Sequence, residues 1–315
     1  MIRTALCDLV GIEKPIFQGG MAWIADARLA AAVSNAGGLG IISSILGGAE
    51  AVREQIRKAR CLTDKPFGVN VMLASPDAAE VARVVVEEGV KIVTTGAGSP
   101  AAFMAEWKKA GITVIPVVAS VAYALKMEEL GADALIAEGA ESGGHIGDTH
   151  TLALLPQIID AVHIPVLAAG GIFDGRAAAA MFLMGAAGIQ LGTRFLSAFE
   201  CKVHPNYKDR LIKASDIGTI VTGKSLGDAV RSLKTPFSKR FAKLEATPGT
   251  DPEELKALGR GSVRRAVEEG DLAGGSFLAG EVAGMVVKEE SAADIVNDII
   301  GGAEALLGGA SKLIN

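Results

Sequence analysis

The chain has 315 residues, a net charge of −5, 50% hydrophobic residues and only 4% aromatic ones. That much apolar material supplies a large core and excludes intrinsic disorder. The acidic balance excludes a nucleic-acid binder working through a basic face, and the scarcity of aromatics excludes a base-stacking platform. Glycine is abundant, 39 residues, with no three-residue period, so it must serve tight turns and close backbone approaches. Cys7, Cys61 and Cys201 are scattered without a CxxC pair. They fit reduced thiols of a cytoplasmic protein, not a disulfide framework or a zinc site. Arg3, Asp8, Glu13 and Lys14 interrupt the first twenty residues, so no signal peptide is expected there. The uncharged stretch 29–49 is broken by Ser34, Asn35, Gly37, Gly38 and Gly40 into helix, turn and strand, and does not suit a membrane span.

In chain order, short β-branched runs predict strands at Ile16–Gln18, Leu39–Ile42, Gly68–Met72, Lys91–Thr94, Val114–Val118, Ala134–Ala137, Val166–Ala169 and Gly188–Leu191. Helical spacing alternates with them at Ala27–Asn35, Ala49–Ala59, Ala78–Glu87, Ala101–Lys109, Val121–Glu129, Leu152–Ala161 and Arg176–Met184. Continuous apolar strands suit a parallel sheet covered on both faces. Eight strands with a helix between each pair predict an α/β fold, a (β/α)₈ TIM barrel. An open doubly wound sheet shares the alternation and is the runner-up. Glycine closes several helices, as in Glu88-Gly89 and Leu130-Gly131, where it takes the left-handed conformation freely.

Beyond Arg194 the character changes. Residues 200–243 hold ten basic and four acidic side chains, a net +6 against −11 over the rest. Such a segment reads as a surface for an acidic partner or as solvated helix faces. We expect residues 198–275 to form a mostly helical cap after the eighth strand. Residues 1–197 and 276–315 then make the barrel, the tail forming two helices with Gly301-Gly302 between or within them.

Working residues of such a barrel lie at the C-terminal strand ends. Here those ends are rich in glycine. Ala169-Gly170-Gly171 and Gly192-Thr193-Arg194 follow the seventh and eighth strands, where barrels commonly bind phosphate. Walker A and Rossmann patterns are absent, which points to a nucleotide monophosphate or a cofactor phosphate. His145 lies in Gly143-Gly144-His145-Ile146-Gly147, a loop able to present an imidazole for proton transfer. A plain surface histidine is the competing reading. No histidine pair has metal-ligand spacing, so no metal site is expected.

An ordered set of motifs carries a family resemblance. It comprises Gln18-Gly19-Gly20-Met21-Ala22-Trp23, Asp64-Lys65-Pro66-Phe67-Gly68-Val69-Asn70, Thr94-Thr95-Gly96-Ala97-Gly98, Glu138-Gly139 with Gly143-Gly144-His145, Ala168-Ala169-Gly170-Gly171-Ile172 and Gln190-Leu191-Gly192-Thr193-Arg194. Together they resemble the superfamily of FMN-dependent nitronate monooxygenases and FMN-dependent enoyl-[acyl-carrier-protein] reductase II. His204-Pro205-Asn206-Tyr207-Lys208 and Gly270-Asp271 look like the reductase branch. Ser99 and Glu281 stand where that branch usually has Asn and Gln. The resemblance implies FMN at the barrel mouth. Met21, Ala22 and Trp23 would line its ring through backbone contacts, with Asn70 and Glu138 hydrogen-bonding flavin or ribityl groups. Gly143, Gly144, Gly170, Gly171, Gln190, Leu191, Gly192 and Thr193 would hold the phosphate and its surroundings, and His145 would be the catalytic imidazole.

The function so implied is reduction of trans-2-enoyl groups on acyl carrier protein, in fatty acid elongation, with NADH or NADPH as co-substrate. Relatives add a monovalent cation requirement, and symmetry statistics favour a homodimer. The alternative is a nitronate monooxygenase oxidising alkyl nitronates with O₂. A flavin-binding regulator would be expected to degrade the Gly-His loop, and an aldolase or isomerase would need a lysine or paired carboxylates at strand ends. Glu138 is the sole carboxylate at a strand end.

Overall fold

The computed structural model describes residues 1–313, the backbone alone for Leu313. The barrel strands are β1 (Ile16–Gln18), β2 (Leu39–Ser43), β3 (Phe67–Met72), β4 (Ile92–Gly96), β5 (Thr113–Val118), β6 (Leu135–Glu138), β8 (Val166–Ala169) and β9 (Gly188–Leu191). All pair in parallel, and β1 closes the ring by pairing with both β2 and β9. The sequence is apolar along both strand faces because both are buried. Phe17, Leu39, Ile41, Ile115, Ile136 and Leu167 fill the barrel, while the first helix, Ala5–Val10, plugs its N-terminal end with Leu6, Cys7 and Val10. Alternate residues such as Val69, Val93 and Val114 meet the outer helices. Each such aliphatic side chain contributes roughly 1.5–3 kcal/mol by leaving water.

Glycine sets how closely the layers approach. A Cβ at Gly40 of β2 would fall 1.9 Å from the Ala30 carbonyl oxygen, so the helix Ala27–Asn35 lies directly on the strand backbone. The tail holds a short 3-10 helix, Glu281–Met285, and one long α-helix, Ala292–Gly309, with both Gly301 and Gly302 inside the latter. Gly302 faces Gly175, whose Cβ would sit 2.4 Å from the Gly302 carbonyl carbon, and this permits the tail to dock on the helix Gly175–Leu183. No helix among the described residues is long and apolar enough to cross a membrane.

Residues 198–275 differ from expectation in one respect. They contain the helices Pro205–Ile212, Pro236–Glu245 and Pro252–Gly259, but also two strands, β10 (Thr219–Thr222) and β11 (Val230–Leu233). These form an antiparallel hairpin, and β11 pairs in turn with β7, the two residues Gly144–His145 of the barrel loop. The strands are short and mostly half-buried, so no alternation marks them. Their third partner lies some eighty residues upstream and leaves no local signal.

Candidate active site at the barrel mouth

A cavity of about 490 Å³ opens at the C-terminal ends of the strands, within the range of small-molecule sites. Its floor is built by the loops after β1, β8 and β9: Gly19 to Ala22, Gly170-Gly171 and Gln190 to Thr193. Barrel closure brings the first and last of these together, and a Cβ at Gly192 would lie 3.6 Å from the Met21 sulfur. Gly170 and Gly171 both have positive φ, +93° and +72°, a region that costs other residues about 1–3 kcal/mol. The backbone N–H groups of Gly170, Gly171, Gly192 and Thr193 find no acceptor among the described residues. Four such donors around one concavity form an anion cradle. The nearby Glu141 carboxylate does not compete for them; it accepts from the Thr151 N–H at 2.9 Å and the Thr151 hydroxyl at 2.9 Å.

The walls carry the polar side chains. Asn70, from β3, donates its amide N–H to Thr94 Oγ1 at 2.9 Å, which anchors the amide at the wall. Burial pushes the Glu138 carboxyl up to about 7. Near neutrality Glu138 can therefore donate as well as accept a hydrogen bond. Ser142 Oγ is itself buried without a well-aligned partner, an orphan of the kind a ligand satisfies. His145 Nε2 lies 3.0 Å from Asp228 Oδ1 of the cap hairpin.

The cap tail closes the opposite side with Leu278, Ala279, Gly280 and Val282. Gly143 makes this possible, because a Cβ there would stand 2.6 Å from the Ala279 carbonyl carbon. Gly280 N–H donates to Thr193 Oγ1 at 2.8 Å, so the Thr193 hydroxyl grips the tail while its own N–H stays free. Arg231 reaches back from β11 to the Ala140 carbonyl at 3.0 Å and pairs with Glu281 at 2.9 Å. That pair gives the unusual Glu281 a local electrostatic reason.

Of the residues singled out in the sequence, His145, Met21, Ala22, Asn70, Glu138, Gly143, Gly144, Gly170, Gly171 and Gln190 to Thr193 all line this cavity. Trp23 does not. Its φ of +65° turns the chain away, its N–H goes to the Ile45 carbonyl, and its ring packs under the Arg264 guanidinium at 5.1 Å. Arg194 likewise faces away from the mouth, buried against Glu290 and over the Phe173 ring. Sequence reasoning missed Asp228, Arg231, Arg264 and the 278–282 wall. The pairing of β7 with β11 brings Asp228 and Arg231 to the site from more than eighty residues away. Among the described residues, no group of three or more His, Cys, Asp or Glu is placed to hold a metal ion.

A TIM barrel whose mouth offers a backbone anion cradle, apolar walls and an imidazole is built for a phosphorylated cofactor, and FMN fits it. The free N–H groups after β8 and β9 would hold its phosphate. The glycine floor after β1 would take its ring, and Glu138 and Ser142 would have hydrogen bonds to give. Residues 3–302 match the nitronate monooxygenase family, and the chain belongs to that family of FMN-dependent oxidoreductases. FabK from Thermotoga maritima superposes over 100% of both chains with a TM-score of 0.96 and 46% identity. A nitroalkane oxidase from Streptomyces ansochromogenes follows at a TM-score of 0.85 and 29% identity, covering 96% of this chain and 100% of its own. In sequence, a Mycobacterium tuberculosis (3aS,4S,5R,7aS)-5-hydroxy-7a-methyl-1-oxo-octahydro-1H-indene-4-carboxyl-CoA dehydrogenase is 43% identical over 76% of this chain and 68% of its own. A nitronate monooxygenase from Paraburkholderia phytofirmans is 32% identical over 90% of both.

Proposed function

We propose that the chain is an FMN-dependent enoyl-thioester reductase of the FabK kind, reducing trans-2-enoyl groups on acyl carrier protein at the expense of NADH or NADPH. The observation that carries this reading is the likeness to Thermotoga FabK over the whole length, cap included, at 46% identity. Bound FMN supplies two-electron transfer between a reduced nicotinamide and the enoyl carbon. The chain's own residues do the rest. The N–H groups of Gly170, Gly171, Gly192 and Thr193 bind the phosphate. Asn70 and Glu138 orient the remainder of the cofactor. The cap wall of Leu278, Ala279 and Val282 excludes water from the acyl group. Reduction at Cβ leaves negative charge on the thioester oxygen and requires a proton at Cα. His145 answers that need as donor, an interaction that strengthens as the charge develops.

The carrier's acidic surface has a partner in the cap. Lys239 and Arg240 are exposed on the helix Pro236–Glu245 and Lys234 is half-buried just before it. None of the three forms an ion pair with another described residue. A homodimer and a monovalent cation belong to the same reading. The CoA-thioester relative supports an acyl-thioester substrate and makes acyl-CoA the natural comparison. Nitronate oxidation is the second reading, favoured by the family match and the Paraburkholderia relative.

Anaerobic mixing with each nicotinamide, followed by a trans-2-enoyl thioester, separates the two. Rapid flavin bleaching and its reversal by the enoyl substrate is the expected result. Flavin that stays oxidised with NADH and NADPH, yet turns over nitronates in air, would overturn the proposal.

A further inference from the structure

The cap hairpin does more than cover the mouth. Its turn is built to a fixed shape: Gly223 and Gly227 are both left-handed, and the Asp228 N–H returns to the Gly223 carbonyl at 3.0 Å. The turn is also braced from behind. The Glu245 carboxylate accepts from the Gly223 N–H at 3.0 Å and from the N–H and hydroxyl of Ser225, both at 2.9 Å. At the other end, β11 pairs Val230 with His145 and Arg231 with Gly144, so the Gly-His loop is the edge strand of the cap's own sheet. The Ile146 N–H donates to the Ala229 carbonyl at 3.0 Å and continues that pairing. Asp228 is thereby presented to one atom of the ring, with Oδ1 3.0 Å from Nε2.

We propose that Asp228 is the positioning residue of His145: it holds the proton on Nε2, sets the ring's direction, and leaves Nδ1 as the atom that exchanges a proton with a ligand. A carboxylate behind an imidazole fixes tautomer and orientation and stabilises the charged ring as it forms. The two side chains are 52% and 64% exposed, so the pair adds little to folding stability and acts through orientation. The catalytic half of this inference rests on the reductase reading; the tautomer half does not.

The test uses FMN-loaded wild type, Asp228→Ala and Asp228→Asn, with ¹⁵N-labelled histidine. The His145 signal is identified by its loss in His145→Gln. With the ring neutral, wild type should hold one tautomer, Nε2–H, whereas Asp228→Asn, whose amide can donate to Nε2, should lose or reverse that preference. Asp228→Ala should show the mixture of an unrestrained ring. Its kcat for enoyl reduction should fall about tenfold, part of the roughly 10²–10⁴ that a positioned acid supplies, with KM within twofold, and Asp228→Asn should recover none of the loss. An unchanged tautomer, or an unchanged kcat, in Asp228→Ala would overturn the proposal. If wild type reduces no enoyl thioester while the tautomer still responds to Asp228, the reductase reading falls and the hold on the ring stands.

Discussion

The two sides of the mouth are made by different means. The floor, from the loops after β1, β8 and β9, is backbone: free N–H groups and glycines at φ near +70° to +90°. The cap side works through side chains: Asp228 against His145, and Arg231 on the Ala140 carbonyl and the Glu281 carboxylate. A backbone floor suits what is constant, a phosphate and a planar ring, and it has no room for a Cβ at Gly20 or Gly170. A side-chain wall can be altered one residue at a time. The division teaches that cofactor retention and turnover should separate cleanly under mutation.

His145→Ala breaks the comparison most sharply. It should leave FMN bound and lower enoyl turnover by roughly 10²–10⁴-fold, as expected for loss of a positioned acid, read by steady-state rates beside the flavin absorbance. Gly170→Ala attacks the floor instead. Its Cβ would lie 2.9 Å from the Gly139 carbonyl oxygen at a φ of +93°. At about 1–3 kcal/mol of strain, FMN affinity measured by fluorescence quenching should fall roughly 10–100-fold.

Glu138 gives the pH signature of the cofactor-free protein. Its carboxyl stands at about 7, above the ordinary 4.5, because of burial. The folded state therefore holds the proton that the unfolded state has released. The associated stability is full below pH 4.5, declines as pH rises to about 7, and is constant above; its size is about 3 kcal/mol at most. Glu138→Gln should abolish that slope in denaturant titrations. Arg231→Met sharpens the cap side. It leaves the Ala140 carbonyl short of a donor and should cost about 1–2 kcal/mol, a Tm drop of roughly 2–6 °C, with FMN still bound. Charge reversal at Lys234 and Lys239 should have the smallest effect, lowering the ratio of carrier-bound to CoA-bound activity by about threefold to tenfold, the scale of surface electrostatic steering. A ratio that does not move removes the docking surface from the account.

The barrel was legible in the sequence because each element announces itself locally. Val166–Ala169 is apolar on both faces, and Gly89 or Gly131 ends the helix before the next strand. The floor was legible for the same reason, since Gly170-Gly171 and Gly192 sit in known relation to strand ends. The hairpin β10–β11 was not, because its stability comes from Gly144–His145, a partner distant in sequence. Trp23 shows the converse: it lies inside a cofactor motif, yet it is absent from the cavity lining and its ring packs against Arg264 instead.

The most direct measurement is a titration of the purified protein with FMN, read by visible absorbance and calorimetry. One FMN should bind per chain, with riboflavin, which has no phosphate, binding far more weakly. A protein that stays colourless in excess FMN, or that binds riboflavin equally well, would contradict the backbone phosphate cradle on which the rest is built.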